Sequence, residues 1–511
     1  MKRYTIGTDI GTSSTKSIIM DREGSILSEN TEEYEILCPK PAWAEQDASV
    51  WEKAVYNTIR GTISEASIDP KQIGGVYISG LFAGSGVPVD AKNNPVRNAI
   101  IWMDRRAEYE QILIEKKIGS ERLFSISGNR NDAYFGYAKI LWIKHNEPEI
   151  WKKIRMFLPS NSYMVYKLTG KITIDHTAAA NVGGIYDMSE HRWSNEMMVK
   201  MDIPVSMMPT DFFLPTDIVG GITSEASVRT GLPKGVPICA GGTDCLSSTL
   251  ATGAMNPGDQ VAVIGTSINW GVLHRDFPKN QRCVTMPYIL DTKTMYYTYG
   301  GATTAGALTK WLKDEIYQFS KDASGTISPA DYDSLSNEAS QLSPGSDGLI
   351  VLPYFMGTRT PLWDSNAKGT IFGLTLHHKR AHLFRAFLES VAFSLRDIID
   401  SSDIVKTETG KCVITGGTVR SNLWMQIIAD VTGLKIYRTK QDMQAPFANA
   451  VVAAVRNGLM QDYSILRDLV KYDEPFVPNA QSKIKYDVLF RLYKKLYEDL
   501  KDRMQELSEI Y

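Results

Sequence analysis

The tripeptide Gly-Thr-Ser occurs twice in this chain, each time directly behind a short β-prone run. Gly11-Thr12-Ser13 follows Tyr4 to Ile10, and Gly265-Thr266-Ser267 follows Gln260 to Ile264. A chain with the same strand-and-loop unit in both halves has few ways to fold, and an internal duplication is the simplest. The 511 residues exceed one ordinary core, and the roughly 250 residues between the copies match the length of a large domain. The expected division is 1–246 and 247–511.

The loops carry a chemistry. Gly11-Thr12-Ser13-Ser14 joins Tyr4–Ile10 to the run Ser17 to Met20, and Asp21 to Gly24 is a second turn, so the segment reads as a β-meander with a small-residue tip. Glycine lets backbone N–H groups approach an anion, and small hydroxyls can ring it without a bulky side chain. Asp9 points a carboxylate at the same place, which suits phosphate only if a cation such as Mg²⁺ lies between them. One such tip is also compatible with a plain hairpin whose aspartate caps the turn. Two copies favour a grip on a polyphosphate. Neither is a Walker A loop, since G-x-x-x-x-G-K-[ST] is absent, and no G-x-G-x-x-G follows a strand.

Composition excludes other classes. A net charge of -2 offers no footprint for nucleic acid or an acidic membrane. No window reaches the roughly 18 apolar residues of a membrane span. The N-terminus runs from Met1-Lys2-Arg3 straight into a strand-like segment, without an apolar leader. The five cysteines form no C-x-x-C pair and no zinc spacing. A cytoplasmic protein with reduced thiols is expected.

Pro237 to Ala240 reads as an apolar strand, followed by Gly241-Gly242-Thr243-Asp244 and a helical stretch from Cys245 to Ala251. Asp244 therefore sits where a strand becomes a helix, and N–H groups at the helix start can orient its carboxylate. As a structural residue it would be an N-cap. Its place between the two loops favours a general base that takes the proton of an acceptor hydroxyl during phosphoryl transfer.

These motifs together resemble the FGGY carbohydrate kinase family, within the wider actin, hexokinase and heat-shock ATPase superfamily. Asp9-Ile-Gly-Thr-Ser-Ser-Thr-Lys16 resembles its first phosphate loop, and Trp43-Ala-Glu45-Gln46-Asp47 a stretch frequent in xylulokinases. Tyr134-Phe-Gly-Tyr-Ala-Lys139-Ile-Leu-Trp142 resembles its first signature, with departures at Gly136 and His145. Gly241 to Asp244 falls where the family carries its catalytic aspartate. Gly369-Thr-Ile-Phe-Gly373-Leu374 with His382-Leu-Phe-Arg-Ala-Phe-Leu-Glu389 matches the second signature closely.

The resemblance implies two ribonuclease-H-like α/β domains facing a central cleft, ATP and Mg²⁺ as cofactors, and a small sugar or polyol as acceptor. The nucleotide would meet Gly11, Thr12, Ser13, Ser14 and Lys16 on one side and Gly265, Thr266 and Ser267 on the other. Gly301 would lie in the nucleotide wall, and Gly416, Gly417 and Ser421 in the adenosine turn. Asp9 and Asp244 are the carboxylates that would face Mg²⁺.

The acceptor side is less orthodox. Xylulokinases typically place Gln-Met-His-Gly after the strand that here ends Ile78-Ser79-Gly80, and glycerol kinases place Arg-Glu there. This chain has Leu81-Phe82-Ala83. Phe82 and Ala83 can line a pocket but cannot read hydroxyls, so other side chains must. By resemblance these are Trp102, whose face can stack on a sugar, Asp104, able to accept from two hydroxyls, and Tyr134. D-xylulose is the first expectation, with gluconate, ribulose and tetritols behind it. A homodimer is left open. The rival class is an ATP-driven chaperone or filament protein, although its peptide-binding or polymer-forming segment is not found. His377 and His378 are expected in a loop without metal-ligand company, Tyr486 to Leu507 as an amphipathic packing helix, and Pro446 near a helix start. Ala445 to Ala450 replaces a segment that is usually Ala-Leu-Gly-Ala-Ala-like in the family.

Overall fold

The structure is a computed structural model that describes residues 2–82, 84–317, 319–321, 327–329, 331–404, 410–441 and 443–510. The chain divides into two compact units. The first comprises Met1–Met255, Arg275–Tyr297 and Met443–Lys471, and the second comprises Asn256–His274, Thr298–Asp442 and Tyr472–Tyr511. A single break after residue 246 is therefore not how the chain partitions in space, because two later segments pack back into the first unit.

In the first unit, β1 (Tyr4–Ile10), β2 (Ser14–Asp21) and β3 (Ile26–Glu33) form the expected antiparallel meander. On its other side β1 pairs in parallel with β4 (Ile73–Gly80). The sheet continues through β6 (Pro237–Cys239) to β5 (Ile218–Gly221), while β7 (Gly242–Thr243) also pairs with β4. Strand alternation sorts the faces of β1. Thr8 bonds through Ser17 to Thr58 on the helix Ala48–Ala66. Thr5, of opposite parity, donates to the carbonyl of Ala450 on the helix Ala445–Arg456. That second helix lies almost on the strand backbone: a Cβ at Gly7 would stand 1.9 Å from the carbonyl oxygen of Pro446. Pro446 itself occupies the helix's first turn, as expected.

The second unit repeats the motif. β8 (Gln260–Ile264) pairs antiparallel with β9 (Ile268–His274) across the Gly265–Ser267 turn, and in parallel with β11 (Cys412–Thr415) on its other side. β12 (Ile436–Tyr437) extends the sheet beyond β11, and residues 298–302 of β10 (Asp291–Ala302) lie beside β9. Its core is closed by the helix Arg380–Ser401 and by the amphipathic helix Ala480–Ile510, which buries Tyr486, Phe490, Tyr493, Leu496 and Tyr497. The five cysteines are free thiols. Among the described residues no helix is long and apolar enough to cross a membrane.

Candidate active site

In the first unit, three strands that run the same way end together. Asp9 is in register with Ser79 and Ile10 with Gly80, while Gly242 and Thr243 match Ser79 and Gly80 from the other side. The carboxyl ends of parallel strands are where open α/β sheets bind ligands. Here they deliver the loop Gly11–Ser13, the segment Leu81–Phe82 and Asp244 to one edge.

Asp244 opens the helix Asp244–Ala251 and accepts the Cys245 N–H on Oδ1 at 2.6 Å. The turn before it needs glycine: Gly241 has φ +82°, and a Cβ there would stand 2.2 Å from the carbonyl oxygen of Ile78. Thr243 is fixed from behind by Thr177 and Asn181, at 3.1 and 2.7 Å. Burial, and secondarily the charge of Asp9, holds the Asp244 carboxyl far above the usual carboxylate range. Asp9 is itself pushed up to about 6 by burial, against the opposing hydrogen bond from Ser79 and the charge of Lys16. Two carboxylates that resist ionising together form a donor set suited to a divalent cation, whose charge would relieve both.

The Gly11–Ser13 loop is held by side chains from outside it, Tyr34 among them, which no motif marks. Tyr34 donates its hydroxyl to the Gly11 carbonyl at 2.7 Å. Gln46 donates to the Thr12 carbonyl at 2.6 Å, and its own orientation is set by the Trp51 indole N–H on Oε1 at 3.1 Å. Trp102 donates its indole N–H to the Thr12 hydroxyl at 3.0 Å, joining the acceptor side to this loop.

Beside them stands an aromatic wall. The rings of Phe82 and Tyr134 lie 4.5 Å apart, and those of Trp102 and Tyr134 6.1 Å apart. Tyr134 is anchored by Asp132, which accepts its backbone N–H at 2.9 Å, and by Lys139, whose ammonium donates to the Tyr134 carbonyl at 2.9 Å. Lys139 has no exposed surface, and burial pulls its pKa down to about 7. Below that pH both the folded and unfolded chains bind the proton and the full burial penalty stands. Between about 7 and 10.5 only the unfolded chain binds it, so stability rises with pH. Relative to Lys139→Met, the wild type is expected to gain about 2–3 kcal/mol between pH 7 and pH 9. Urea unfolding of both proteins at the two pH values checks this, and a pH-independent difference would overturn it.

The second unit contains a cavity of about 1570 Å³ lined by Gly265, Thr266, Gly306, Gly417, Ser421 and Trp311, among others. Its two turns are tied together: the Thr418 hydroxyl donates to the Ile264 carbonyl at 3.0 Å, and the Gly306 N–H to the Gly265 carbonyl at 2.8 Å. Among the described residues, a Cβ at Gly265 or Gly417 would meet no atom within 4 Å. Packing does not demand glycine at these two places, and its absence of side chain leaves the cavity open at the loop tips.

Comparison with known proteins accounts for this arrangement. Residues 4–251 match the N-terminal domain, and residues 260–456 the C-terminal domain, of the FGGY family of carbohydrate kinases. The chain belongs to the FGGY family of carbohydrate kinases. A xylulose kinase of Lactococcus lactis is 30% identical over 99% of both chains, and a gluconokinase of Bacillus licheniformis 24% identical over 99% of this chain and 98% of that one. The crystal structure of xylulose kinase from Rhodospirillum rubrum superposes with a TM-score of 0.90 at 27% identity, covering 98% of this chain and all of that one. The chain is thus a carbohydrate kinase of xylulokinase-like type with ATP as phosphate donor, and the chaperone or filament reading falls away.

Within this FGGY kinase several expected residues stand elsewhere than the motifs suggested. Asp104 does not face a pocket: it has no exposed surface and accepts from the Ala44 N–H and from the guanidinium and N–H of Arg106. Arg106 is buried too, bonded to Glu45 and lying 3.7 Å over the Trp43 ring. Ser421 lines the cavity, and its side chain also caps the helix Asn422–Thr432 by accepting the Trp424 N–H. Gly416 and Gly301 make room for backbone, since a Cβ at either would stand 2.6 Å from the carbonyl oxygen of Ile264 or Ile268. Ala83 lies outside the described residues. Trp311 and Gln426, which line the cavity, have no motif to mark them.

His377 has more company than expected, with Asp347 and His382 beside it. The hydrogen bonds speak against a metal centre. Lys379 N–H donates to His382 Nδ1 at 3.0 Å, so the ring proton sits on Nε2 and points at Asp347 Oδ2, 3.2 Å away. His378 is fixed in the same tautomer by the Thr375 N–H and donates to the Asp347 carbonyl. The cluster caps a helix and pins a turn.

Proposed function

We propose that this kinase transfers the γ-phosphoryl group of ATP to a hydroxyl of a neutral ketopentose, D-xylulose first, with Mg²⁺ as the accompanying ion. The observation that carries the neutral sugar is the state of the cations near the aromatic wall. Arg105 pairs with Asp132, Arg106 with Asp104 and Glu45, and Lys139 is spent on two carbonyls. A sugar acid would ask for a cation to meet its carboxylate, whereas a neutral sugar needs an apolar face and hydroxyl partners. Phe82, Trp102 and Tyr134 offer the face. The full-length similarity to xylulose kinases supports the same substrate.

In this reading Asp244 orients the acceptor hydroxyl and takes its proton as the new O–P bond forms and the bond from the γ-phosphorus to the β-phosphate oxygen breaks, releasing ADP. Gly265, Thr266 and Gly417 line the cavity proposed for the nucleotide, and Gly11, Thr12 and Ser13, with Lys16 on the next strand, form the phosphate loop of the first unit. Mg²⁺, held by Asp9 with Asp244 beside it, would neutralise phosphate charge. Measuring ADP release over D-xylulose, D-ribulose, gluconate, erythritol and glycerol tests the reading. The highest kcat/KM is expected for D-xylulose, and a preference for gluconate would overturn the argument from the committed cations.

A further inference from the structure

Asn449 lies on the helix Ala445–Arg456 with no exposed surface. Its Nδ2 donates two hydrogen bonds, to the Thr8 carbonyl at 2.7 Å and to the Ser79 hydroxyl at 2.7 Å. Ser79 in turn donates to Asp9 Oδ1. Asn449 Oδ1 is buried and has no hydrogen-bond partner among the described residues, so the amide's contribution lies on its donor side. The direction of the chain is fixed by its ends. Turning the amide would set Oδ1 against the Thr8 carbonyl, acceptor against acceptor. It would also offer Ser79 a second acceptor for its one proton. With the amino group where it is, a lone pair of Ser79 Oγ is filled and its hydrogen is left for Asp9.

Strand geometry explains why a helix residue can do this. Asp9 has the parity of Thr5 and Gly7, the β1 residues that meet the helix Ala445–Arg456. The close approach at Gly7 fixes the helix so near the sheet that an asparagine reaches both β1 and β4. The Ser79 hydroxyl, held in one direction, fixes the orientation of the Asp9 carboxylate it serves.

We propose that Asn449 is a positioning residue that acts through Ser79 to hold Asp9 oriented toward the magnesium–nucleotide complex. The inference rests on the reading of Asp9 as the carboxylate facing that complex. It goes beyond that reading by naming a residue that touches neither substrate nor nucleotide.

The test is a double-mutant cycle on the full-length protein with Asp9→Asn as control. Binding of a non-hydrolysable ATP analogue is measured calorimetrically with and without MgCl₂, alongside kcat, sugar KM and thermal unfolding. Asn449→Ala is expected to cut the gain in analogue affinity conferred by Mg²⁺ about 3–10-fold and to lower kcat, with sugar KM within about twofold. In the Ser79→Ala background the same substitution is expected to change neither quantity further, because the relay is already broken. A role in packing alone would lower the unfolding temperature equally in both backgrounds and leave the Mg²⁺ dependence untouched. That result, or additive losses of Mg²⁺ dependence, overturns the proposal while leaving Asp9's role standing. If Asp9→Asn itself leaves the Mg²⁺ dependence unchanged, both readings fall together. Should Asn449→Ala not fold, Asn449→Ser carries the same cycle.

Discussion

Asp244→Asn is expected to lower kcat for sugar phosphorylation by about 10³-fold, while the affinity for ADP changes by less than about threefold. The amide keeps the shape and still accepts the Cys245 N–H that orients the carboxylate at the helix start. What it loses is the ability to take a proton. The cavity proposed for the nucleotide, lined by Gly265, Thr266, Gly306 and Gly417, is not lined by Asp244, so binding there has no reason to fail. The same substitution removes a buried carboxylate and its repulsion of Asp9. The variant is therefore expected to be more stable than the wild type, by about 1–2 kcal/mol. Loss of turnover with a gain in stability is what a functional carboxylate held against its own preference produces. A purely structural carboxylate at the helix start would do neither: asparagine caps about as well as aspartate, so neutralisation would cost only the charge–dipole term, about 0.3–1 kcal/mol, and leave turnover nearly intact. Steady-state kinetics with D-xylulose, ADP calorimetry and urea unfolding separate the two. Near-full turnover by Asp244→Asn would remove Asp244 from the chemistry.

Much of the scaffold was legible in local pattern, because the relevant physics is local. A β-prone run followed by Gly-Thr-Ser is a strand and a tight turn wherever it occurs, and both copies fold so. Asp244 was legible because a strand, two glycines and a helix start are contiguous. The supports of the site were not. Asn449 reaches Ser79 across 370 residues and Thr8 across 441, and no pattern in Ala445 to Ala450 says which strand that helix covers. Lys139 stands in a signature that says nothing of its role, since that role depends on burial, which a helical lysine does not advertise. The compact units are not two unbroken halves of the chain for a related reason: β1 has a helix against its Thr5-Gly7 face, and residues 445–456 supply it. Asp104 was misread in an instructive way. The stretch Trp102-Met103-Asp104-Arg105-Arg106 leaves open whether the carboxylate turns to a ligand or to its own arginine. The tertiary term that decides it is Glu45, which draws Arg106 inward over Trp43.

That assignment has a consequence as large as the first. Asp104→Ala is expected to destabilise the protein by about 3 kcal/mol or more, the usual cost of breaking a buried ion pair from one side. Arg106, only 1% exposed along its side chain, would keep Glu45 at 2.7 Å but lose the two-pronged contact with Asp104. The Ala44 N–H would lose its acceptor as well. Glu45 cannot make up the difference, because it already serves Arg97 at 2.7 Å. Effects on sugar binding should be secondary and pass through the turn from Ile101 to Asp104 that carries Trp102. A rise in sugar KM of no more than about tenfold is expected, with kcat reduced less. If Asp104 instead accepted hydroxyls from the sugar, KM would rise by 10²-fold or more while the unfolding midpoint stayed in place. The double variant Asp104→Ala, Arg106→Met supplies the decisive comparison. Removing both charges takes away the half-paired guanidinium, and Glu45 keeps Arg97, so the pair of substitutions is expected to be more stable than Asp104→Ala alone by about 1–2 kcal/mol. It does so even though it gives up the packing of Arg106 on Trp43 and Trp142. Urea unfolding of the three proteins reads this directly, and a double variant less stable than the single one would show that the guanidinium holds this corner without needing Asp104.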